Sequence, residues 1–285
     1  MPSISFTLCD VFSLGPLTGN QLAVLEGADG LADDELQALA REFNLSEVTI
    51  LGPPDEGERG RRVRIFTTAA ELPFAGHPIL GTAGVLALRE ASSHVVLHCG
   101  VGALGVGVVA LSDRSAEVTM SQPVPVALPF SLEQELLEAL GVGESVCPIR
   151  HFDNGVGHVF VGLADEASVA AVAPDFQRLA VLAKEVGYLG VNCFAGSGTQ
   201  WKTRMFAPGD NVQEDPATGS AAGPLAVHLA TLGLIAFDEE ITICQGAEIG
   251  RPSELRARVV GTTLEVSEVW VAGRVDIVGA GTLNW

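Results

Sequence analysis

A histidine in the first half of the chain lies in a sequence context suited to proton chemistry. The stretch ELPFAGHPILG sets His77 between Gly76 and Pro78, just before a run of small and apolar residues. Proline fits the first turn of a helix, so His77 is predicted at a helix start. A neutral histidine there can orient a hydroxyl group or relay a proton, although packing or capping is the simpler role.

The second half contains a similar stretch, EDPATGSAAG, in which Ser220 follows Gly219 as His77 follows Gly76. Ser220 could cap its helix or bind a carboxylate, and Asp215 could serve a turn or act as an N-cap. The first amides of a helix lack internal partners and lie in positive potential. Glycines at both helix starts would therefore let an anionic ligand approach the backbone.

Glu47, in the segment NLSEVTIL, is a third candidate for proton chemistry. The residues before it have the spacing of an amphipathic helix and those after it are apolar like a strand, so a helix passes into a strand near this glutamate. A carboxyl group partly withdrawn from water there can take up and release a proton. The residues alone favour a solvated glutamate, which is the commoner role.

The sequence predicts no metal and no cofactor. It has no HExxH motif, no P-loop and no GxGxxG between a strand and a helix. The cysteines lie far apart and form no CxxC pair, so reduced and mostly buried thiols in a cytoplasmic protein are expected. The five are Cys9, Cys99, Cys147, Cys193 and Cys244.

Composition limits the classes of partner. Hydrophobic residues make up 47% of the 285-residue chain and charged residues 18%, which suits a sizeable buried core. The formal net charge of -19 disfavours nucleic acid and anionic membranes. No apolar run approaches the roughly 20 residues needed to cross a bilayer, and no signal peptide is expected at the first residues.

The chain contains an internal repeat. Segments of the first half recur in the same order in the second, displaced by nearly half the chain length. GNQLAVL, which begins at Gly19, echoes GHVFVGL, which begins at Gly157; RIF echoes RMF, ELPFAGHP echoes EDPATGSA, and VVLHCG echoes ITICQG. Matches in one order over most of the chain indicate two similar halves.

The repeat predicts an α+β fold with two pseudo-symmetric halves, each a curved, mostly antiparallel sheet wrapped around a central buried helix. The helices that start near Gly76 and Gly219 are apolar nearly all round, and such helices are buried. We assign residues 1–125 to the N-terminal half and residues 126–285 to the C-terminal half. The active site is expected in the cleft between them.

Several motifs closely resemble the signatures of the PhzF-like (phenazine biosynthesis) family: NLSEVTI, ELPFAGHPILG and RMFAPGDNVQEDPATGSAAGPLA. The resemblance covers nearly the whole chain, and the family is similar in fold to diaminopimelate epimerase and proline racemase. Those enzymes use two cysteines that exchange protons on opposite faces of a carbon. The matching positions here look like Ala75 and Thr218, so two-thiol racemisation is not expected.

The resemblance implies an isomerase, independent of metal and cofactor, that moves a proton within a small cyclic or unsaturated carboxylic acid bearing an amino or hydroxyl group. Glu47 would be its acid and base. His77 and Asp215 would position the amine or hydroxyl group of the substrate.

The resemblance also suggests how the substrate carboxylate is held. Ser220 and the amides near Gly76 and Gly219 would bind it, and Asn20 and Ser46 are weaker candidates for substrate contacts. A homodimer is expected from the family and from the sheet edges that such halves leave exposed.

Two alternatives remain open from the sequence. One is a lyase that dehydrates a hydroxylated imino acid, although such an enzyme usually needs a cysteine where Ala75 stands. The other is a non-catalytic ligand-binding protein that kept the pocket.

Overall fold

A computed structural model of the chain describes residues 3–54 and 60–284. It has a mixed α+β fold and divides into two compact units. Unit 1 comprises Met1–Ser121 together with Ala272–Trp285, and unit 2 comprises Gln122–Val271.

Unit 1 is built on antiparallel and parallel strand pairs. Its strands are β1 (Ser3–Val11), β2 (Asn20–Glu26), β3 (Glu47–Pro54), β4 (Arg61–Phe66), β5 (Glu71–Leu72), β6 (His94–Cys99), β7 (Gly102–Ala110) and β8 (Ser115–Gln122), and its helices are α1 (Asp33–Phe43) and α2 (Gly76–Glu90). Strand β1 pairs antiparallel with β2, β2 parallel with β3, and β3 antiparallel with β4. Strand β4 then pairs parallel with β6, which continues antiparallel through β7 to β8.

Unit 2 has its own set of strands and helices. The strands are β9 (Val126–Leu128), β10 (Arg150–Asp153), β11 (Gly157–Gly162), β12 (Gly190–Ser197), β13 (Gln200–Ala207), β14 (Val212–Asp215), β15 (Glu240–Gln245) and β16 (Ser253–Gly261), and the helices are α3 (Glu133–Leu140), α4 (Glu166–Ala171), α5 (Phe176–Val186) and α6 (Gly219–Thr231). Short 3-10 helices cover Pro208–Asp210 and Ala247–Ile249. Strand β10 pairs antiparallel with β9 and β11, β11 parallel with β12, and β12 antiparallel with β13. Strand β13 pairs parallel with β15, which pairs antiparallel with β16.

The last strand, β17 (Val266–Asn284), begins in unit 2 and ends in unit 1. It pairs antiparallel with β1 from Val275 opposite Val11 to Asn284 opposite Ser3, which places residues 272–285 in unit 1. The sequence-based division at 125/126 assigned these residues to the second half. The repeat showed where segments recur, but it carried no information on which strand the last segment pairs with.

Helices α2 and α6 are buried over most of their length, as their apolar composition predicted. Small residues on α2 allow a close approach to the strands. A Cβ atom at Gly81 would lie 2.6 Å from a methyl group of Leu22, and one at Gly84 would lie 3.1 Å from Val275. A larger residue at either position would push the helix off the sheet.

Each unit anchors the segment before its buried helix with the same ion pair. Arg64 on β4 donates two hydrogen bonds of 2.7 and 2.6 Å to Glu71 on β5. Arg204 on β13 donates two of 2.9 and 2.8 Å to Glu214 on β14. In both units the guanidinium also lies 5.0 Å from the ring of the phenylalanine two residues further on. Bidentate pairs of this kind fix direction as well as distance.

Two findings concern the remaining sequence expectations. No helix in the described ranges is long and apolar enough to cross a membrane. The five cysteines are free thiols, but only Cys9 and Cys193 are buried, so the expectation of mostly buried thiols is met only at these two positions.

Candidate functional site

Three predicted residues of unit 1 come together because three elements start near one another. Asn20 is the first residue of β2, Glu47 is the first residue of β3, and His77 is the second residue of α2. Parallel pairing of β2 with β3 puts the starts of both strands at one sheet edge. A buried 2.9 Å hydrogen bond between the hydroxyl groups of Thr49 and Thr82 ties β3 to α2.

The imidazole of His77 is the centre of this first polar cluster, which we define as Asn20, Glu47 and His77. The amide nitrogen of Asn20 lies 3.2 Å from Nδ1 of His77, and Oε2 of Glu47 lies 3.6 Å from Nε2. The two ring nitrogens therefore lie beside an amide and a carboxyl group, and the tautomer of His77 decides which of them donates. The His77 side chain is 3% exposed and the Glu47 side chain 13%.

Burial determines the charge of His77. It lowers the pKa of the imidazole to about 3, and the backbone carbonyl of Gln21 opposes this only in part. The ring is therefore neutral near pH 7, the state suited to orienting a hydroxyl group or relaying a proton.

In unit 2, Asp215 and Ser220 flank the start of α6. Asp215 is the last residue of β14, and its Oδ2 accepts a 2.6 Å hydrogen bond from the hydroxyl of Thr218. Thr218 is the N-cap residue of α6 but caps no backbone amide with its side chain. Ser220 is the second residue of the helix, so the simple capping role considered for it is wrong.

His158 belongs with Ser220, although the sequence analysis did not select it. Its Nε2 lies 2.9 Å from the Ser220 hydroxyl. Burial, with a smaller contribution from His151, lowers the pKa of His158 to about 3. The signal was present in the repeat, which aligns His158 with Asn20 and Ser220 with His77. In unit 1 the histidine is on the helix and its polar partner, Asn20, is on a strand. In unit 2 the histidine is on a strand and its polar partner, Ser220, is on the helix. We call Asp215, Ser220 and His158 the second polar cluster.

Side chains also hold the first backbone carbonyls of α6. The amide nitrogen of Gln122 donates 2.7 Å to the carbonyl of Gly219, and that of Asn154 donates 2.9 Å to the carbonyl of Ser220. These buried contacts fix the direction in which the helix begins.

The remaining predicted residues are not members of the two polar clusters. Ser46 lies half-buried immediately before β3. Gly76 and Gly219 are buried and are the first residues of α2 and α6. Binding of an anion by their amides remains a prediction.

Ala75 and Thr218 are equivalent in position, since each is the N-cap residue of its buried helix. Neither carries a thiol, in keeping with the sequence argument against two-thiol chemistry. Among the residues that the structure describes, no three His, Cys, Asp or Glu side chains are grouped so that they could hold a metal ion.

Comparison with protein families and curated sequences gives a consistent result. Residues 9–281 match the family described as phenazine biosynthesis-like protein. The chain is 42% identical to trans-2,3-dihydro-3-hydroxyanthranilate isomerase of Pseudomonas chlororaphis, over 98% of each chain. It is 44% identical to the enzyme of the same name from Pseudomonas aeruginosa, over 94% of this chain and 95% of that relative.

Solved structures are similar over the whole length. A "Predicted Epimerase" from Pseudomonas aeruginosa has a TM-score of 0.84 at 30% identity and covers 98% of both chains. A PhzF-family protein from Bacillus anthracis has a TM-score of 0.84 at 22% identity and covers 100% of both. A hydroxyproline epimerase from Agrobacterium vitis shares the fold with a TM-score of 0.65 at 11% identity, over 99% of this chain and 92% of that one. The expected relation to epimerase-like folds is confirmed, and relatives named as isomerases favour neither the lyase nor the non-catalytic alternative.

Proposed function

The chain belongs to the phenazine biosynthesis-like family and is an enzyme of the isomerase class, and from this premise we propose that it moves a proton within a small cyclic or unsaturated carboxylic acid bearing an amino or hydroxyl group. Trans-2,3-dihydro-3-hydroxyanthranilate, the compound named for the two Pseudomonas relatives, is the first substrate to test.

The observation that carries this proposal is the pairing of Glu47 with a neutral His77. A carboxylate with few water contacts, held 3.6 Å from the imidazole Nε2, suits transfer of a proton from and to carbon. Glu47 takes the proton from one carbon, the double bond moves, and the carboxylic acid returns the proton to another carbon of the same molecule. The product has the same atoms as the substrate, so the step needs no redox partner or cofactor.

The remaining residues bind and orient the substrate in this proposal. His77 and Asp215 position the amine or hydroxyl group, while Ser220 and the amides near Gly76 and Gly219 hold the carboxylate. Variants in either polar cluster should therefore impair the same reaction.

We further propose that the two units are pseudo-symmetric halves, each a curved sheet around its buried helix. The order of pairings supports this, because β1 to β7 and β10 to β16 both run antiparallel, parallel, antiparallel, parallel, antiparallel. The repeated arginine–glutamate pair is further support.

The test is turnover of this compound in deuterated water, followed by NMR. Wild type should form product, also in excess EDTA, and the product should contain deuterium only to the extent that protonated Glu47 exchanges with solvent before it returns the proton. Glu47→Gln should lose about 10³-fold in turnover, within the range of a positioned acid and base. Glu42→Gln, which changes an exposed glutamate on α1, is the matched control and should behave as wild type. Turnover by Glu47→Gln at the wild-type rate would contradict the assignment.

A further inference from the structure

Gln245 is a buried amide beneath the loop that leads from β14 into α6. It is the last residue of β15 and is 3% exposed. In the repeat, its segment ITICQG matches VVLHCG, in which the corresponding residue is Cys99. Unit 1 therefore carries no equivalent amide at this position.

All the hydrogen-bonding capacity of the Gln245 side chain is used. Its Nε2 donates to the backbone carbonyl of Asp215 at 2.8 Å and to the hydroxyl of Thr218 at 2.9 Å. Its Oε1 accepts from the backbone amide of Thr218 at 3.2 Å and from the hydroxyl of Thr203 at 3.1 Å. Two donated and two accepted bonds saturate a carboxamide.

The backbone partners fix the orientation of this amide. A carbonyl oxygen can only accept and a backbone N–H can only donate, so the Asp215 carbonyl must face Nε2 of Gln245 and the Thr218 amide must face Oε1. The alternative orientation would put two acceptors together and two donors together.

This orientation sets the direction of the Thr218 hydroxyl proton. The hydroxyl accepts from Nε2 of Gln245, which leaves its single proton for Oδ2 of Asp215 at 2.6 Å. Two hydrogen bonds in series strengthen each other in a buried site. Gln245 thereby sets the direction of a hydrogen bond that the Asp215 carboxylate accepts.

We propose that Gln245 is a positioning residue for Asp215 and acts through the hydroxyl of Thr218. Its importance for turnover rests on the proposed function, in which Asp215 holds a polar group of the substrate. The geometric claim stands apart: without the Gln245 donor, the Thr218 hydroxyl loses one of the two hydrogen bonds that set its direction toward Oδ2 of Asp215.

The kinetic test is a double-mutant cycle. Gln245→Met removes both donors and the acceptor oxygen at similar length, Thr218→Val removes the hydroxyl, and the double variant combines them. Each single variant should lower kcat about 10-fold with KM changed less than 3-fold, and the double variant should be no worse than the poorer single one. Thr218→Ser, which keeps the hydroxyl, should restore kcat. Additive losses in the double variant would overturn the proposal.

A matched control separates positioning from general stability. Thr203→Val removes a different hydrogen bond of Gln245 and leaves its donors in place. It should lower the melting temperature about as much as Thr218→Val while keeping wild-type kcat. A kcat loss in Thr203→Val equal to that in Gln245→Met would show that the network is only structural. If Gln245→Met does not fold, Gln245→Glu keeps both acceptors and takes its place in the cycle.

A crystallographic readout distinguishes failure of this inference from failure of the proposed function. In Gln245→Met the hydrogen bond from the Thr218 hydroxyl to Oδ2 of Asp215 should lengthen or turn away from its wild-type direction. An unchanged hydrogen bond overturns the inference, whatever the activity. A changed hydrogen bond in an enzyme whose Asp215→Asn variant keeps full activity supports the positioning and refutes the proposed role of Asp215.

Discussion

At the scale of single residues, two histidines share a charge state and differ in their partners. Burial holds both His77 and His158 neutral near pH 7. His77 lies between the Asn20 amide and the Glu47 carboxylate, which suits a relay or an orienting role. His158 is bonded to the Ser220 hydroxyl, which suits orienting that hydroxyl toward a ligand. The two polar clusters therefore have distinct chemistry despite their related positions.

The variant His77→Asn tests the role of the first histidine. Turnover should fall about 10²-fold because a positioned proton-transfer group is lost. The melting temperature should fall moderately because the smaller asparagine leaves a void at a buried position. The measurement is turnover and melting temperature on one preparation, with the exposed His94→Asn as the control. A variant that melts normally and turns over like wild type would remove His77 from the site.

At the scale of elements, the first polar cluster depends on how the chain enters β2. Gly19 precedes Asn20 and has a φ of 76°, a conformation that other residues rarely adopt. A Cβ atom there would lie 2.5 Å from the carbonyl oxygen of Val11 on the neighbouring strand. The turn therefore brings Asn20 toward His77 only with glycine at this position.

The variants Gly19→Ala and Gly27→Ala test whether the turn before β2 positions Asn20. Both glycines have positive φ, but a Cβ at Gly27 would meet open space. Gly27→Ala should cost about 1–2 kcal/mol of unfolding free energy and leave turnover unchanged. Gly19→Ala should cost more and lower turnover, because the turn must shift and Asn20 with it. Equal effects of the two variants in urea unfolding and in turnover would show that the close approach is unimportant.

At the scale of the whole molecule, buried histidines couple stability to pH. Burial lowers the pKa of His77 and His158 to about 3 and that of His228 to about 4, from 6.5 for an exposed group. Below pH 6.5 the unfolded chain binds protons at these positions and the native chain does not. Stability from these groups is therefore complete above pH 6.5 and is lost as the pH falls toward 3–4.

The pH dependence of unfolding checks this coupling. Each such histidine should lower the free energy of unfolding by roughly 2 kcal/mol at pH 5 relative to pH 8. The variant His77→Asn should accordingly lose less unfolding free energy between pH 8 and pH 5 than wild type, measured by urea titration. His94→Asn again serves as the control and should follow wild type. Parallel curves for His77→Asn and wild type would mean that His77 is protonated in the native state as easily as in the unfolded one.

Assembly is a further property of the whole molecule. We propose a homodimer, because exposed sheet edges are commonly covered by pairing and the family resemblance suggests it. Sedimentation at micromolar concentration should show a species of twice the 29.6 kDa chain mass. A single species at the monomer mass would contradict this proposal.

The sequence by itself determined the features that depend on neighbouring residues and on repetition. The apolar composition marked α2 and α6 as buried helices, and the glycine-rich motifs marked His77 and Ser220 as residues at their starts. Glu47 was placed correctly between a helix and a strand for the same reason. Helix burial and turn chemistry are encoded within a few residues, so one sequence suffices to find them.

Only the tertiary structure decided which distant residues meet. Three contacts join segments far apart in the chain. They are the pairing of β17 with β1, the hydrogen bond between His158 and Ser220, and the hydrogen bond between Gln245 and Thr218. No local pattern specifies such pairs, because strand partners and buried side-chain contacts are selected by the packing of the whole unit.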